Sequence, residues 1–214
     1  MKIEQAIAEM KKNVGKRNFV QSYDVVFLLQ NIDVKKPDQR IKLEVILPHS
    51  PFKKPHSLAV IAKTTTNLGK ISYQQGLDVI EPIYLESIAQ DKKKIKHLAN
   101  KFDAFLCDVV EVRTMARILG AFLGPKNKMP LMVSGAEANL AQHIKKISRI
   151  VRLSTGMQMQ LQTLFGYEKM DDSQLIENFN AVVAAVLAKL PKGRTQLKKV
   201  FIKQTMAAPV AVEI

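Results

Sequence analysis

The chain has 214 residues, 47% of them hydrophobic, which is enough for one large domain or two small ones with proper cores and excludes wholesale disorder. Lys and Arg number 33 against 19 Asp and Glu, a net charge of +14 that selects a polyanionic partner: nucleic acid first, then an anionic membrane surface or an acidic protein. The single cysteine, Cys107, rules out an intrachain disulfide. The N-terminal MKIEQAIAEMKK lacks an apolar signal core and no stretch approaches a membrane span, so the chain reads as cytoplasmic, soluble and without a membrane partner.

Ile3, Ala6, Ile7 and Met10 are spaced as the apolar stripe of a helix over 2–12. YDVVFLL (23–29) and IKLEVIL (41–47) read as strands; in the second, Ile41, Leu43, Val45 and Leu47 share one face and Lys42 and Glu44 the other. A polar turn broken by Pro37 lies between them, and LPHSPFKKP (47–55), with three prolines, reads as a linker. LAVIA (58–62) is a short continuous apolar run, as a strand covered on both faces requires. A strand at 77–82, a lysine-rich helix over 84–100, a strand at 102–107, a helix over 111–121, a loop at 124–130 and a helix over 136–149 follow. From 151 the texture changes. In MQMQLQ, Met157, Met159 and Leu161 alternate with glutamines, which suits a strand wetted on one face. A helix over 173–190, with Asp171, Asp172 or Ser173 as its cap, and a strand over 198–205 complete the chain.

Strands alternating with helices in the middle, flanked by half-exposed strands at both ends, imply an insertion. The expected fold class is α/β and α+β in two domains. A discontinuous α+β domain uses both chain ends, 1–56 plus 150–214, and a smaller α/β domain, 57–149, sits inside it.

Catalytic signatures are sparse. No glycine pair is spaced G-x-G, and GAFLGPK (120–126) has neither the spacing nor the Lys-Ser/Thr of a phosphate loop. His49, His56, His97 and His143 show no zinc-ligand spacing, and Cys107 sits in an apolar strand pattern that suits core packing. An α/β enzyme holding a ligand in the interdomain cleft is the alternative, with Asp103 and Asp108 flanking a strand as its acids.

The basic residues cluster. Lys92, Lys93, Lys94 and Lys96 crowd one helical turn, as a solvated face or a weak RNA contact. Lys189, Lys192, Arg194, Lys198, Lys199 and Lys203 form a run without an acid, ending beside Thr205 and Met206. Lys11, Lys12, Lys16 and Arg17 precede Phe19, and Lys35, Lys36 and Arg40 add a basic turn. Cations neutralise phosphates, but selection of a folded RNA also needs hydroxyls and stacking surfaces. Phe19 beside Arg17 offers a stacking face, Thr205 a hydroxyl and Met206 an adaptable apolar surface; the alternative buries Phe19 and Met206 in a core.

These residues resemble a known family. RNFVQSYDVVFLLQNIDVKKPDQR (17–40) with LPH (47–49) is similar to the start of the ribosomal L-one family in its archaeal form. FDAFLC (102–107) and RILGAFLGPKNKMP (117–130) resemble its inserted domain. MDDSQLIENFNAVVAAVLAKLPKG (170–193) and VFIKQTMAAPV (200–210) resemble its closing helix and strand.

The resemblance implies a Rossmann-like inserted domain that binds no dinucleotide, no cofactor or metal, and no catalysis. It implies an outer domain bound to large-subunit rRNA in a mobile stalk near the tRNA exit site. There the family assists release of deacylated tRNA, and many members repress translation of their own mRNA. A monomer is implied outside the ribosome. The family's RNA surface is matched by Phe19 and by Thr205 and Met206, with Ala207 where the family has glycine; Ser50 likewise replaces a glycine after LPH. Arg17, Lys36, Arg40, Lys53, Arg152 and Lys203 are the basic residues that go with that surface.

Overall fold

In the computed structural model, residues 1–12, 17–34, 36, 39–134 and 140–213 are described. The expected basic residues Lys16 and Lys35, Pro37, and the start of the helix expected at 136 lie outside them. In chain order the elements are α1 (Ile3–Lys12), β1 (Ser22–Leu29), β2 (Lys42–Ile46), β3 (Leu58–Ile61), α2 (Asn67–Gln74), β4 (Asp78–Ile80), α3 (Pro82–Ser87), α4 (Lys92–Lys101), β5 (Ala104–Asp108), α5 (Val112–Leu123), β6 (Leu131–Val133) and α6 (Leu140–Ile147). There follow β7 (Ile150–Ser154), β8 (Gln160–Tyr167), α7 (Asp172–Lys189), β9 (Leu197–Gln204) and β10 (Val210–Val212). Among the described residues no helix is long and apolar enough to cross a membrane.

The chain divides into two compact units, one of Met1–Lys53 with Ser148–Ile214 and the other of Lys54–Ile147. The first unit holds an antiparallel sheet ordered β10-β9-β1-β8 and the antiparallel pair β2-β7. Strand β1 alternates, with Tyr23, Val25, Phe27 and Leu29 buried and Ser22, Asp24, Val26 and Leu28 half-buried. Val25 lies opposite Ile202, and Phe27 opposite both Val200 and Leu161, so the inward residues of three strands meet on one face. Against them pack Ala6, Ile7 and Met10 of α1 and Leu175, Phe179, Val182 and Val186 of α7. The rings of Tyr23 and Phe165 stack with centroids 6.1 Å apart, and Phe179 meets Phe165 edge to face at 6.0 Å. The register slips between Tyr23 and Asp24, and a Cβ on the adjacent Gly166 would stand 2.2 Å from Leu175 Cδ2, so glycine lets α7 lie close on β8.

Asn178, wholly buried in the middle of α7, is the polar tie of this unit. Its Oδ1 accepts from the His49 N–H at 3.0 Å, and its Nδ2 donates to the carbonyls of His49 (3.1 Å) and Phe165 (2.9 Å). The two chain segments that lead out of this unit run side by side. Leu47 N–H donates to Arg149 O at 2.9 Å, and Ser50 Oγ to Ser148 O at 2.7 Å.

The second unit is a parallel sheet ordered β4-β3-β5-β6 with helices on both faces. Alternate residues of its central strands serve opposite layers. Ala59, Ile61, Phe105 and Cys107 face α3, α4 and α5, while Val60, Ala62 and Leu106 face Leu68 of α2 and Leu140 and Ile147 of α6. That double burial explains the unbroken apolar runs. Cys107 is wholly buried, and burial, then Asp108 and Glu111, push its thiol up to about 12, which makes it inert packing.

Two expectations are corrected, and three short elements were not expected. The helix expected over 84–100 is two helices, the first ending at Ser87 with Ile88 as its cap and the second capped at its start by Asp91, whose Oδ1 accepts from Lys93 and Lys94 N–H at 3.0 and 3.2 Å. The Lys94 N–H above all holds that carboxyl below the usual range. The strand expected through Met157 and Met159 begins only at Gln160. Strand β1 ends at Leu29, whose N–H donates to Met159 O at 2.8 Å, so residues before 159 have no strand to pair with and Met157 is 93% exposed. Elements α2, β6 and β10 were not among those expected; they are three to eight residues long with little periodicity.

Candidate nucleic-acid interface

Strands β1 and β9 are antiparallel, so the start of one lies beside the end of the other. That brings residues 19–22 against 204–207, although 183 positions separate Ser22 from Thr205. Thr205 N–H donates to Ser22 O at 3.1 Å, and Ser22 N–H donates to Thr205 Oγ1 at 3.1 Å. Met206 N–H donates to Gln21 Oε1 at 3.3 Å, and Ala207 N–H to Gln204 O at 3.1 Å, closing a turn beyond β9. Lys53 Nζ reaches Val20 O at 3.3 Å. The corner therefore gathers Phe19, Lys53, Thr205, Met206 and Ala207. Phe19 is 46% exposed and Met206 62%, so neither belongs to the core. Arg17, two residues from Phe19, is exposed.

Lys203 sits one step inside β9, opposite Asp24. Burial holds the Asp24 carboxyl above the usual range, and Lys203 partly counters this. A carboxyl so raised disfavours the folded state where it must ionise, above its unfolded value, and the penalty fades as pH falls below that value. Asp24→Asn is therefore expected to raise the melting temperature at neutral pH, with the gain vanishing near about pH 3, as thermal scans across pH would record.

The other basic residues lie elsewhere. Lys36 and Arg40 follow the far end of β1, roughly 23 Å away at the usual strand rise; Arg40 Nε donates to Val34 O at 2.9 Å. Arg40 shares a recess of about 460 Å³ with Lys189 and Lys192, and among the described residues no carboxylate lines it. The 189–203 run is thus split along β9, with Lys203 at the corner and the rest toward the opposite end. Arg152 is on the β2-β7 pair, its Nε 2.7 Å from Glu44 Oε1, so its charge is already matched. Lys92, Lys93, Lys94 and Lys96 are exposed on α4 of the second unit.

Gln21 and Glu168 were missed as site residues. Gln21 N–H donates to Glu168 Oε2 at 3.1 Å, and Glu168 N–H returns to Gln21 O at 3.0 Å. The signal for Gln21 was its phase: it continues the inward series of Tyr23, Val25 and Phe27, where a polar side chain needs a partner.

The acids considered for an enzyme have structural partners. Asp103 Oδ2 accepts from Ser57 N–H at 3.0 Å and Ser57 Oγ at 2.9 Å; burial raises this carboxyl, but those bonds and His56 outweigh it and hold it low. Asp108 Oδ1 accepts from Val110 N–H at 3.3 Å, capping a short 3₁₀ turn. Among the described residues no group of three or more His, Cys, Asp or Glu is arranged to hold a metal.

A two-unit α/β protein with an exposed, hydroxyl-bearing corner and a basic surface is matched by known proteins of one class, the ribosomal proteins. The family model described as "Ribosomal protein L1p/L10e family" matches residues 9–208. The large ribosomal subunit protein uL1 of Pyrococcus horikoshii is 38% identical over 212 residues, covering 99% of this chain and 95% of its own. Its namesake in Thermococcus kodakarensis is 37% identical over 212 residues (99% and 97%), and that of Methanocaldococcus jannaschii 35% over 209 (98% and 94%). These relatives are named as ribosomal proteins, not enzymes. The chain belongs to the ribosomal protein L1p/L10e family.

Proposed function

We propose that this protein is a structural component of the large ribosomal subunit that binds large-subunit rRNA through the corner formed by Phe19, Lys53, Thr205, Met206 and Ala207. The observation that carries this is the joining of an exposed aromatic, an exposed thioether and a backbone-fixed hydroxyl on one corner of a +14 protein. Lys203 and Arg17 add charge beside it, and Ala207 fits a turn whose backbone is already closed by its bond to Gln204. Its place is the mobile stalk near the tRNA exit site, where it assists release of deacylated tRNA. The cations at the far end of β1, Lys36, Arg40, Lys189 and Lys192, supply a second phosphate contact suited to that tRNA. The same corner serves repression of its own mRNA, provided the message presents a fold like the rRNA site. No catalytic step is involved, and the protein acts as a cytoplasmic monomer when outside the ribosome.

Crosslinking followed by sequencing of the bound RNA tests the assignment: stalk-forming rRNA is expected to dominate, and random recovery would refute it. If about five phosphates are neutralised, log affinity falls against log salt with a slope near −4 to −5. Filter binding across a salt series measures that slope, and a flat line would exclude a phosphate-dominated contact.

A further inference from the structure

We infer that Glu168 and Gln21 are a positioning pair that sets the backbone of the 205–207 turn, an inference that rests on the rRNA reading of that corner. A carboxylate at the rim of a polyanion-binding surface works against binding by its charge, so its presence there calls for a geometric reason. The bonds supply one. Glu168 clamps residue 21 from both sides, accepting its N–H at 3.1 Å through the carboxylate and donating its own N–H to Gln21 O at 3.0 Å. Gln21, 1% exposed, then turns its side chain across to Met206 and accepts that residue's N–H at 3.3 Å. The Ser22–Thr205 pair beside it holds the preceding residue. The position of Met206 thus depends, through one buried amide, on an exposed acid 38 residues before it.

Charge and geometry predict opposite signs for the same substitution. Glu168→Ala removes a negative charge, which by electrostatics alone tightens RNA binding; it also frees the Gln21 N–H, which by geometry loosens it. Glu168→Gln removes the charge and keeps an acceptor. The probe is full-length large-subunit rRNA of Pyrococcus horikoshii, with tRNA as competitor, in filter binding. Exchange of the Met206 amide in the free protein, followed by NMR, is the second readout.

Glu168→Ala is expected to weaken rRNA binding about fivefold and to speed Met206 exchange, while Glu168→Gln binds at least as tightly as the unaltered chain. Gln21→Leu, which deletes the acceptor itself, is expected to weaken binding about tenfold. If that variant does not fold, the exposed Glu168 pair decides alone. Equal or tighter binding by Glu168→Ala, with Met206 exchange unchanged, overturns the inference. Exchange that responds while the unaltered chain does not prefer rRNA over tRNA instead retires the rRNA reading, and with it the use assigned to the pair.

Discussion

Met206→Asp is expected to reduce rRNA affinity by roughly a hundredfold or more while leaving the fold intact. The side chain is 62% exposed and its backbone N–H is held by Gln21, so the substitution empties no cavity and leaves that backbone bond in place. What changes is the surface offered to the ligand. A polarizable apolar contact is replaced by a carboxylate facing phosphates, which removes packing and adds repulsion in one step. Met132→Asp is the control, since Met132 is also 62% exposed but lies on β6 of the second unit. Circular dichroism should superimpose for the two variants and the native chain, and only Met206→Asp should fail in a gel shift. Binding that survives Met206→Asp would remove this residue from the interface.

Asn178→Leu is expected to destabilise the first unit by about 3–5 kcal/mol. Leucine keeps the branched shape and the number of side-chain heavy atoms, though its methyl groups are bulkier, so the main cost is polar. Three backbone groups lose their partner: the part-buried His49 N–H and carbonyl and the buried Phe165 carbonyl. Each such loss costs about 1–3 kcal/mol where water cannot substitute. Urea unfolding followed by fluorescence of a probe in each unit would show the first unit's midpoint falling and the second unit's unchanged. A shift below about 1 kcal/mol would mean that solvent reaches the bereft groups.

Much of the fold was legible because burial imprints a period. In 41–47 the structure buries Ile41, Val45 and Leu47, half-buries Leu43 and leaves Lys42 and Glu44 outside, as the alternation required. The unbroken apolar runs at 58–62 and 104–107 marked strands covered on both faces. The fresh start at Asp91 was also written in the chain, as an N-cap residue before ten helical positions, but the apolar series Leu85, Ile88, Ile95 ran on across it and hid the break. Met157 misled because alternation says only that a segment could be a strand; whether a neighbour exists to pair with depends on where β1 ends. The corner shows the same division. Phe19, Thr205 and Met206 could be chosen by residue type, yet their meeting depends on the β1–β9 register, which no local pattern encodes. Lys36, Arg40 and Arg152, which the resemblance grouped with that surface, lie elsewhere, because charge says nothing of register.

The bonds between Leu47 and Arg149 and between Ser50 and Ser148 have a topological corollary. They make residues 54–147 a detour whose departure and return are stitched together like the neck of a purse. A gene lacking those codons, with two or three small residues spliced across the gap, should still encode a self-sufficient protein, because the ends it rejoins are already neighbours. By the same token, foreign cargo grafted there would be carried by the first unit without prying it apart.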